Sequence, residues 1–201
     1  KPQVMPAVCT ALAASLNDRR PLIVSIAAGI TLTALERWFG LEAALVRCMP
    51  NTPALVGSGA SGLFANARVS AAQRDIADQL LGAVGLSVWV DSEADIDSVT
   101  ALSGSGPAYF FLMMEAMQES AVKLGLTPAM AKSLTYQTAL GAAQLAIASE
   151  EDTAQLRRNV TSPNGTTERA INHFEDGGLR QLVDGALTAA RDRSVELAGE
   201  V

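Results

Sequence analysis

The sequence predicts an α/β half followed by an all-α half, with the change near residue 92. Three observations carry that expectation. Up to Asp91, apolar runs of strand length alternate with stretches of helical period, the pattern of a doubly wound, largely parallel sheet covered on both faces. Beyond Asp91 no strand pattern recurs, and the apolar stretches repeat at helical spacing. The composition agrees: 49% hydrophobic, dominated by Ala, Leu and Gly, with only 4% aromatic, which suits close helix packing better than a β-sandwich. A chain of 201 residues can bury a sizeable core, and the change of pattern divides it into 1–92 and 93–201.

The first half is read in order. Val4 to Leu16 has helical spacing, and Arg20-Pro21 turns the chain into Leu22-Ile23-Val24-Ser25-Ile26, a continuous apolar run expected as a buried strand. Ala27-Ala28-Gly29 ends that strand in small residues, which lets another group approach the backbone closely. Thr31 caps a helix over Leu32 to Phe39 that stops at Gly40. Ala44 to Met49 is a second buried strand, ended by Pro50-Asn51-Thr52-Pro53. A third strand is expected near Gly62 to Ala65, a helix over Ser70 to Val84, and a last strand at Ser87 to Val90. Ligands of such sheets sit at the carboxyl ends of the strands, here Ala27–Gly29 and Met49–Thr52. Gly57-Ser58-Gly59-Ala60-Ser61-Gly62 has the glycine spacing of a dinucleotide fingerprint, but it follows two prolines and runs into an extended Leu63-Phe64-Ala65. Without a strand before it and a helix after it the motif reads as a turn.

Asp91, Glu93, Asp95 and Asp97 make a polar joint into the second half. Ala101 to Pro107 breaks one helix and starts another, with Pro107 suited to a first helical position. The helix from Pro107 to about Gly125 is apolar all round for its first two turns, through Tyr109, Phe110, Phe111, Leu112, Met113 and Met114. A helix without a polar face has to be covered on every side. The next helix, from Thr127-Pro128, carries the small residues Ala139, Gly141, Ala142 and Ala143. A helical half of this size can hardly bury both helices by itself, so a second copy of the chain is expected to cover them through a two-fold dimer. Asp152 to Arg158 is a short helix, and Leu179 to Ala198 closes the chain.

Between these lies Val160-Thr161-Ser162-Pro163-Asn164-Gly165-Thr166-Thr167-Glu168, turn formers set among hydroxyls, opening a helix with Ala170, Ile171 and Phe174 on one face. Two readings are open at this level. The stretch is a capped helix start, where Ser, Thr and Asn are common anyway, or it is an anion cradle built from backbone N–H groups and the positive end of the helix dipole. No Lys or Arg lies inside it, which suits a small carboxylate better than a polyphosphate.

Composition excludes several other classes. The net charge of −6 comes without a basic stripe for nucleic acid or a Lys-rich face for a membrane. The longest uncharged run, Ser133 to Ser149, is broken by polar residues and reads as a buried soluble helix. Cys9 and Cys48 make no disulfide framework and suggest a reducing cytoplasm. The single histidine, His173, leaves little to build a metal site or a Cys–His pair on, so no metal is expected.

Taken together, Ala101-Leu102-Ser103-Gly104-Ser105-Gly106-Pro107-Ala108-Tyr109 and the loop Val160 to Thr167 resemble the signature of the pyrroline-5-carboxylate reductases. Lys1-Pro2-Gln3, Ser25 to Ile30 and Arg47 to Pro53 agree in the same order, so the resemblance runs the whole length. It implies that residues 1–92 are the C-terminal portion of a Rossmann domain whose first βαβ unit is missing, and that 93–201 form a helical dimerisation and substrate domain. It implies hydride transfer from NADPH (or NADH) to the imine carbon of pyrroline-5-carboxylate, the last step of proline synthesis. The implied assembly is a homodimer, which in some members forms a decamer. Ser162, Gly165, Thr166 and Thr167 match the substrate-carboxylate loop, with Thr167 the catalytic candidate that hydrogen-bonds the ring nitrogen. Lys1, Pro2, Ala27, Ala28 and Gly29 match positions beside the cofactor, with Asn51, Thr52 and Asn159 nearer its nicotinamide end.

Two departures stand out. Asn164 replaces the family's usual Gly, a substitution that the tolerance of Asn for left-handed backbone permits. The glycine fingerprint is expected roughly 60 residues upstream of Lys1, so the chain as given should bind cofactor poorly. The rival readings are a reductase of another imine or of a β-hydroxyacid, which would want a motif-bound lysine that Lys123 and Lys132 do not offer, and an inactive helical dimerisation module. A nucleotide switch on Gly57–Gly62 is more distant still.

Overall fold

The computed structural model describes residues 2–16, 19–39 and 42–199. The chain divides into two compact units, one of residues 1–107 with 186–201 and one of residues 108–185.

In the first unit a short 3-10 turn, Pro2–Val4, leads into α1 (Met5–Leu16). Then follow β1 (Leu22–Ser25), α2 (Leu32–Phe39), β2 (Ala44–Met49), a 3-10 turn (Thr52–Val56), β3 (Gly59–Ala65), α3 (Ala71–Gly82) and β4 (Gly85–Trp89). Among the described residues the strands form one sheet in the order β1-β2-β3-β4. β1 pairs parallel with β2 and β3 parallel with β4, each through a crossover helix, α2 and α3. With two of three pairs parallel the sheet is largely parallel, as its pattern predicts; the β2–β3 pair is the exception. It is antiparallel, with Val46 opposite Ala65 and Met49 opposite Gly62. The connection between them is a single 3-10 turn, too short for the crossover a parallel pair requires.

β3 also begins earlier than its side chains suggest. It runs through the glycine cluster from Gly59, and β4 starts at Gly85 rather than Ser87. A Cβ on Gly59 would stand 3.0 Å from the Val84 carbonyl oxygen, and one on Gly62 would meet Val99 Cγ1 at 2.6 Å. The glycines therefore serve close packing of a strand, and no helix follows them to complete a phosphate loop.

β2 is the centre of the core. Leu45, Val46 and Cys48 are at most 1% exposed. Leu45 joins Ile30, Leu35 and Phe39 on the α1–α2 side, while Val46 and Cys48 join Leu63, Ala77 and Leu81 on the α3 side. Each such aliphatic side chain contributes about 1.5–3 kcal/mol by leaving water. α3 starts at a full capping box, Ser70 accepting from the Gln73 N–H and Gln73 from the Ser70 N–H. The acidic joint becomes α4 (Asp95–Val99), which widens into a π turn, Thr100–Gly104, before α5 (Gly106–Lys123).

The second unit holds α5 from Ala108, α6 (Pro128–Ala148), α7 (Thr153–Asn159), α8 (Thr166–Asp176) and the start of α9 (Leu179–Gly199). Thr127 caps α6 and Asp152 caps α7. Little of this unit is covered: Phe110, Phe111, Leu112 and Ile147 are 69%, 62%, 66% and 86% exposed. Apolar helix faces left this open mark an interaction surface. Among the described residues no helix is long and apolar enough to cross a membrane.

Candidate active site

The loop ahead of α8 is built by short-range geometry. Thr161 donates its hydroxyl to the Arg157 carbonyl at 2.6 Å, closing the exit from α7. The Gly165 N–H donates to the Ser162 carbonyl at 3.0 Å, making the tight turn Ser162–Gly165. Asn164 takes the left-handed conformation at φ +60°, the one non-glycine residue to do so among those described. Gly165 has ordinary φ, yet a Cβ there would lie 2.9 Å from the Ser162 carbonyl oxygen, so the turn closes only on glycine.

Gly165 is the N-cap of α8 and provides no side-chain cap. The N–H groups of Thr166, Thr167 and Glu168 therefore lie at the first helical turn with no partner further back in the helix. Such N–H groups, with the positive end of the helix dipole, have the chemistry to receive an anion. Ser162 and Thr166 are exposed and Thr167 is half-buried on the same turn, so the four loop residues singled out in the sequence come together. An open hollow of about 570 Å³ runs from Asn164, Gly165 and Thr166 along α8 past Arg169 and His173. His173 is exposed in the last turn of that helix. Glu175 fastens the same helix to its neighbours, accepting from Arg157 at 3.1 Å and from Arg180 at 2.8 Å. The Arg180 hydrogen bond and charge, with Arg157 behind them, hold the Glu175 carboxyl below the usual carboxylate range.

Asn159 ends α7 with both ends of its amide engaged, donating to Glu151 and accepting from Gln155, each at 2.7 Å. In the first unit, Ala27 and Ala28 follow β1 and Gly29 turns the chain at φ +74°. Ala27 and Ala28 line a hollow of about 510 Å³ with apolar side chains of α1, β1 and α2 and no basic residue. Asn51 is held from within the unit: its amide donates to the Ser103 carbonyl at 3.0 Å and accepts the Ala60 N–H at 2.9 Å, tying β3 to the π turn. Thr52 beside it is exposed. Pro2 lies in the 3-10 turn before α1, and Lys1 falls outside the described residues. Among the described residues no group of three His, Cys, Asp or Glu side chains could hold a metal ion.

Residue-type reading missed a buried polar network in the first unit. Arg47, on the central strand, has a side chain only 4% exposed and pairs with Glu93 at 3.1 Å and Asp97 at 3.6 Å. Glu93 also accepts the Leu32 N–H at 2.7 Å, and Ser194 donates to Asp97 at 2.7 Å. A guanidinium inside an apolar strand has to find such partners, and that is the signal that could have exposed it. Glu168 was missed too: its carboxylate accepts the Asn164 N–H at 2.7 Å.

Comparison with known proteins addresses the same helices. The family model for pyrroline-5-carboxylate reductase dimerisation matches residues 93–197. A pyrroline-5-carboxylate reductase of Pseudomonas aeruginosa is 61% identical over 201 residues, 100% of this chain and 73% of its own length. The chain belongs to the pyrroline-5-carboxylate reductase family. The Haemophilus influenzae enzyme is 44% identical, with 98% of this chain and 73% of its own length covered. Among solved structures, the Coxiella burnetii reductase superposes with a TM-score of 0.94 at 50% identity, covering 98% of this chain and 73% of that one. The Plasmodium falciparum reductase, solved with NADP bound, gives 0.90 at 31% identity over 98% of this chain and 74% of its own. The α/β layer and the helical dimerisation domain are thus the family's fold.

Proposed function

We propose that the chain reduces pyrroline-5-carboxylate to proline with NADPH (or NADH), the last step of proline biosynthesis. The observation that carries this reading is the Ser162–Thr167 loop: a helix start with uncapped N–H groups, hydroxyls around it and no cation within it, in a chain of this family. The substrate carboxylate binds to the N–H groups of Thr166 and Thr167, with the Ser162 hydroxyl beside it and Gly165 keeping the turn closed. Thr167 places its hydroxyl against the ring nitrogen, orienting the imine and relaying its proton. A reduced nicotinamide supplies the hydride. A protonated imine already accepts hydride well, so the chain's task is to position the ring and exclude water.

Ala27, Ala28 and Gly29 take the positions beside the cofactor, their small size allowing close contact, and the family resemblance assigns Lys1 and Pro2 to the same end. Asn51, Thr52 and Asn159 are assigned to its nicotinamide end by the family resemblance. The functional division into 1–92 and 93–201 follows this sharing of tasks. A second copy of the chain covers the exposed faces of α5 and α6, forming a homodimer that in turn can build a decamer. Two buried free cysteines support a reducing cytoplasm as the setting of this reaction. Neither nucleic acid nor membrane enters this reading.

The test follows the loss of near-ultraviolet absorbance of NADPH when the full-length protein is mixed with pyrroline-5-carboxylate. Turnover that falls by about 10²-fold in Thr167→Ala, with the dimer intact, supports both the reaction and the role of Thr167. A folded wild-type dimer without turnover removes the substrate assignment.

A further inference from the structure

The loop that receives the carboxylate contains a conformation that needs support. Asn164 sits at φ +60°, a region that costs an L-residue other than glycine free energy. Nothing in the turn itself holds it there except the neighbouring Gly165 N–H bond to Ser162. The Glu168 carboxylate, one helical turn further on, accepts the Asn164 N–H at 2.7 Å, the short distance typical of a charge-assisted bond. That bond joins the left-handed Asn164 to the first turn of α8, so it couples the two. Resting on the carboxylate-loop reading above, we propose that Glu168 is a positioning residue. It braces the left-handed Asn164 and so presets the N–H groups of Thr166 and Thr167 for the substrate. Because Glu168 occupies the Asn164 N–H, that donor is not available to the substrate, and the cradle is the helix start alone.

A brace of this kind acts on binding geometry and not on proton transfer. In the full-length enzyme, Glu168→Ala is expected to raise the KM for pyrroline-5-carboxylate about tenfold while kcat changes less than about twofold. Glu168→Gln keeps an acceptor at the same reach and should hold KM within about threefold of wild type. Glycine visits positive φ freely, so in an Asn164→Gly background the further change to Glu168→Ala should raise KM by no more than about twofold. Hydrogen exchange gives a readout that needs no turnover: the Asn164 amide should exchange about tenfold faster in Glu168→Ala, and near the wild-type rate in Glu168→Gln. The proposal is overturned by an unchanged KM in Glu168→Ala, by a loss confined to kcat, by an equal penalty in the Asn164→Gly background, or by unchanged exchange at Asn164. If the wild-type protein fails to turn over this substrate, the reaction assignment falls, and the exchange measurement still decides the brace.

Discussion

Arg47 offers the sharpest test of how the first unit is held together. Its guanidinium is almost wholly buried, while the carboxylates it pairs with are only partly so, Glu93 at 26% and Asp97 at 12% exposure. Arg47→Met keeps the aliphatic volume and removes the charge, leaving two carboxylates facing one another. Breaking a buried pair by removing one partner costs about 3–5 kcal/mol. The Leu32 N–H still serves Glu93 and Ser194 still serves Asp97, so the lower end, about 3 kcal/mol, applies. For a chain of this size each kcal/mol moves the Tm by about 2–4 °C, which predicts a fall of roughly 6–12 °C in circular-dichroism melts. The denaturant midpoint should move with the m-value unchanged. Adding Glu93→Gln and Asp97→Asn to Arg47→Met removes the stranded charges and should recover more than half of the loss. A single-variant Tm within about 2 °C of wild type would show that water reaches these carboxylates and that the network is not a buried lock.

The remaining predictions concern the loop and the core. Gly165→Ala puts a methyl 2.9 Å from the Ser162 carbonyl oxygen, so the turn must open. The KM for the imine acid should rise at least about tenfold while the Tm falls by only a few degrees, read from initial rates and melts of one preparation; an unchanged KM would contradict the closed turn. Ser194→Ala takes the donor from Asp97 and should cost about 1–3 kcal/mol in urea unfolding, a smaller loss than Arg47→Met. Burial pushes the Cys48 thiol up to about 11, only partly offset by its hydrogen bond with Ser61. The folded state thus keeps a proton that the unfolded state releases earlier. The stability from this site is full below the ordinary thiol pKa and is lost as pH rises toward about 11. Cys48→Ser should therefore flatten the alkaline fall in Tm, and a thiol reagent near neutral pH should label Cys48 only at the unfolding rate.

How much of this was legible depends on where the information lay. α2 and β2 fall on the residues their patterns indicate, Leu32–Phe39 and Ala44–Met49, because Thr31, Gly40 and Pro50 punctuate dense apolar sequence. The start of β3 was not legible. Gly59, Ala60, Ser61 and Gly62 carry almost no side-chain pattern, and the reason for their smallness is the approach of Val84 and Val99 from distant sequence. The antiparallel β2–β3 pair is hidden for a related reason: apolar runs do not state strand direction, and only the brevity of the intervening turn does. At the site, Gly165, Thr166 and Thr167 were legible because turn and helix-start chemistry is local. Ser194 bonds Asp97 from 97 residues away, and no local pattern announces that. Glu168 lay between these cases, since its partner is only four residues back and an acid in a first helical turn is a familiar capping choice.

The path of the chain through the two units has a consequence for how this protein can be cut and spliced. Residues 108–185 are an insertion: the chain leaves the first unit at Pro107 and returns at Ala186. A protease nick near the Pro107 boundary would therefore not free the downstream fragment. The end of α9 stays fastened to the acidic joint by Ser194 and Asp97, with Leu197 lying against Gly29. Nicked protein should run as one species in gel filtration and as two bands once denatured. By the same token, an exchange of helical segments between relatives needs two seams, and a splice that replaces everything beyond one seam also swaps the stretch that carries Ser194 and Leu197.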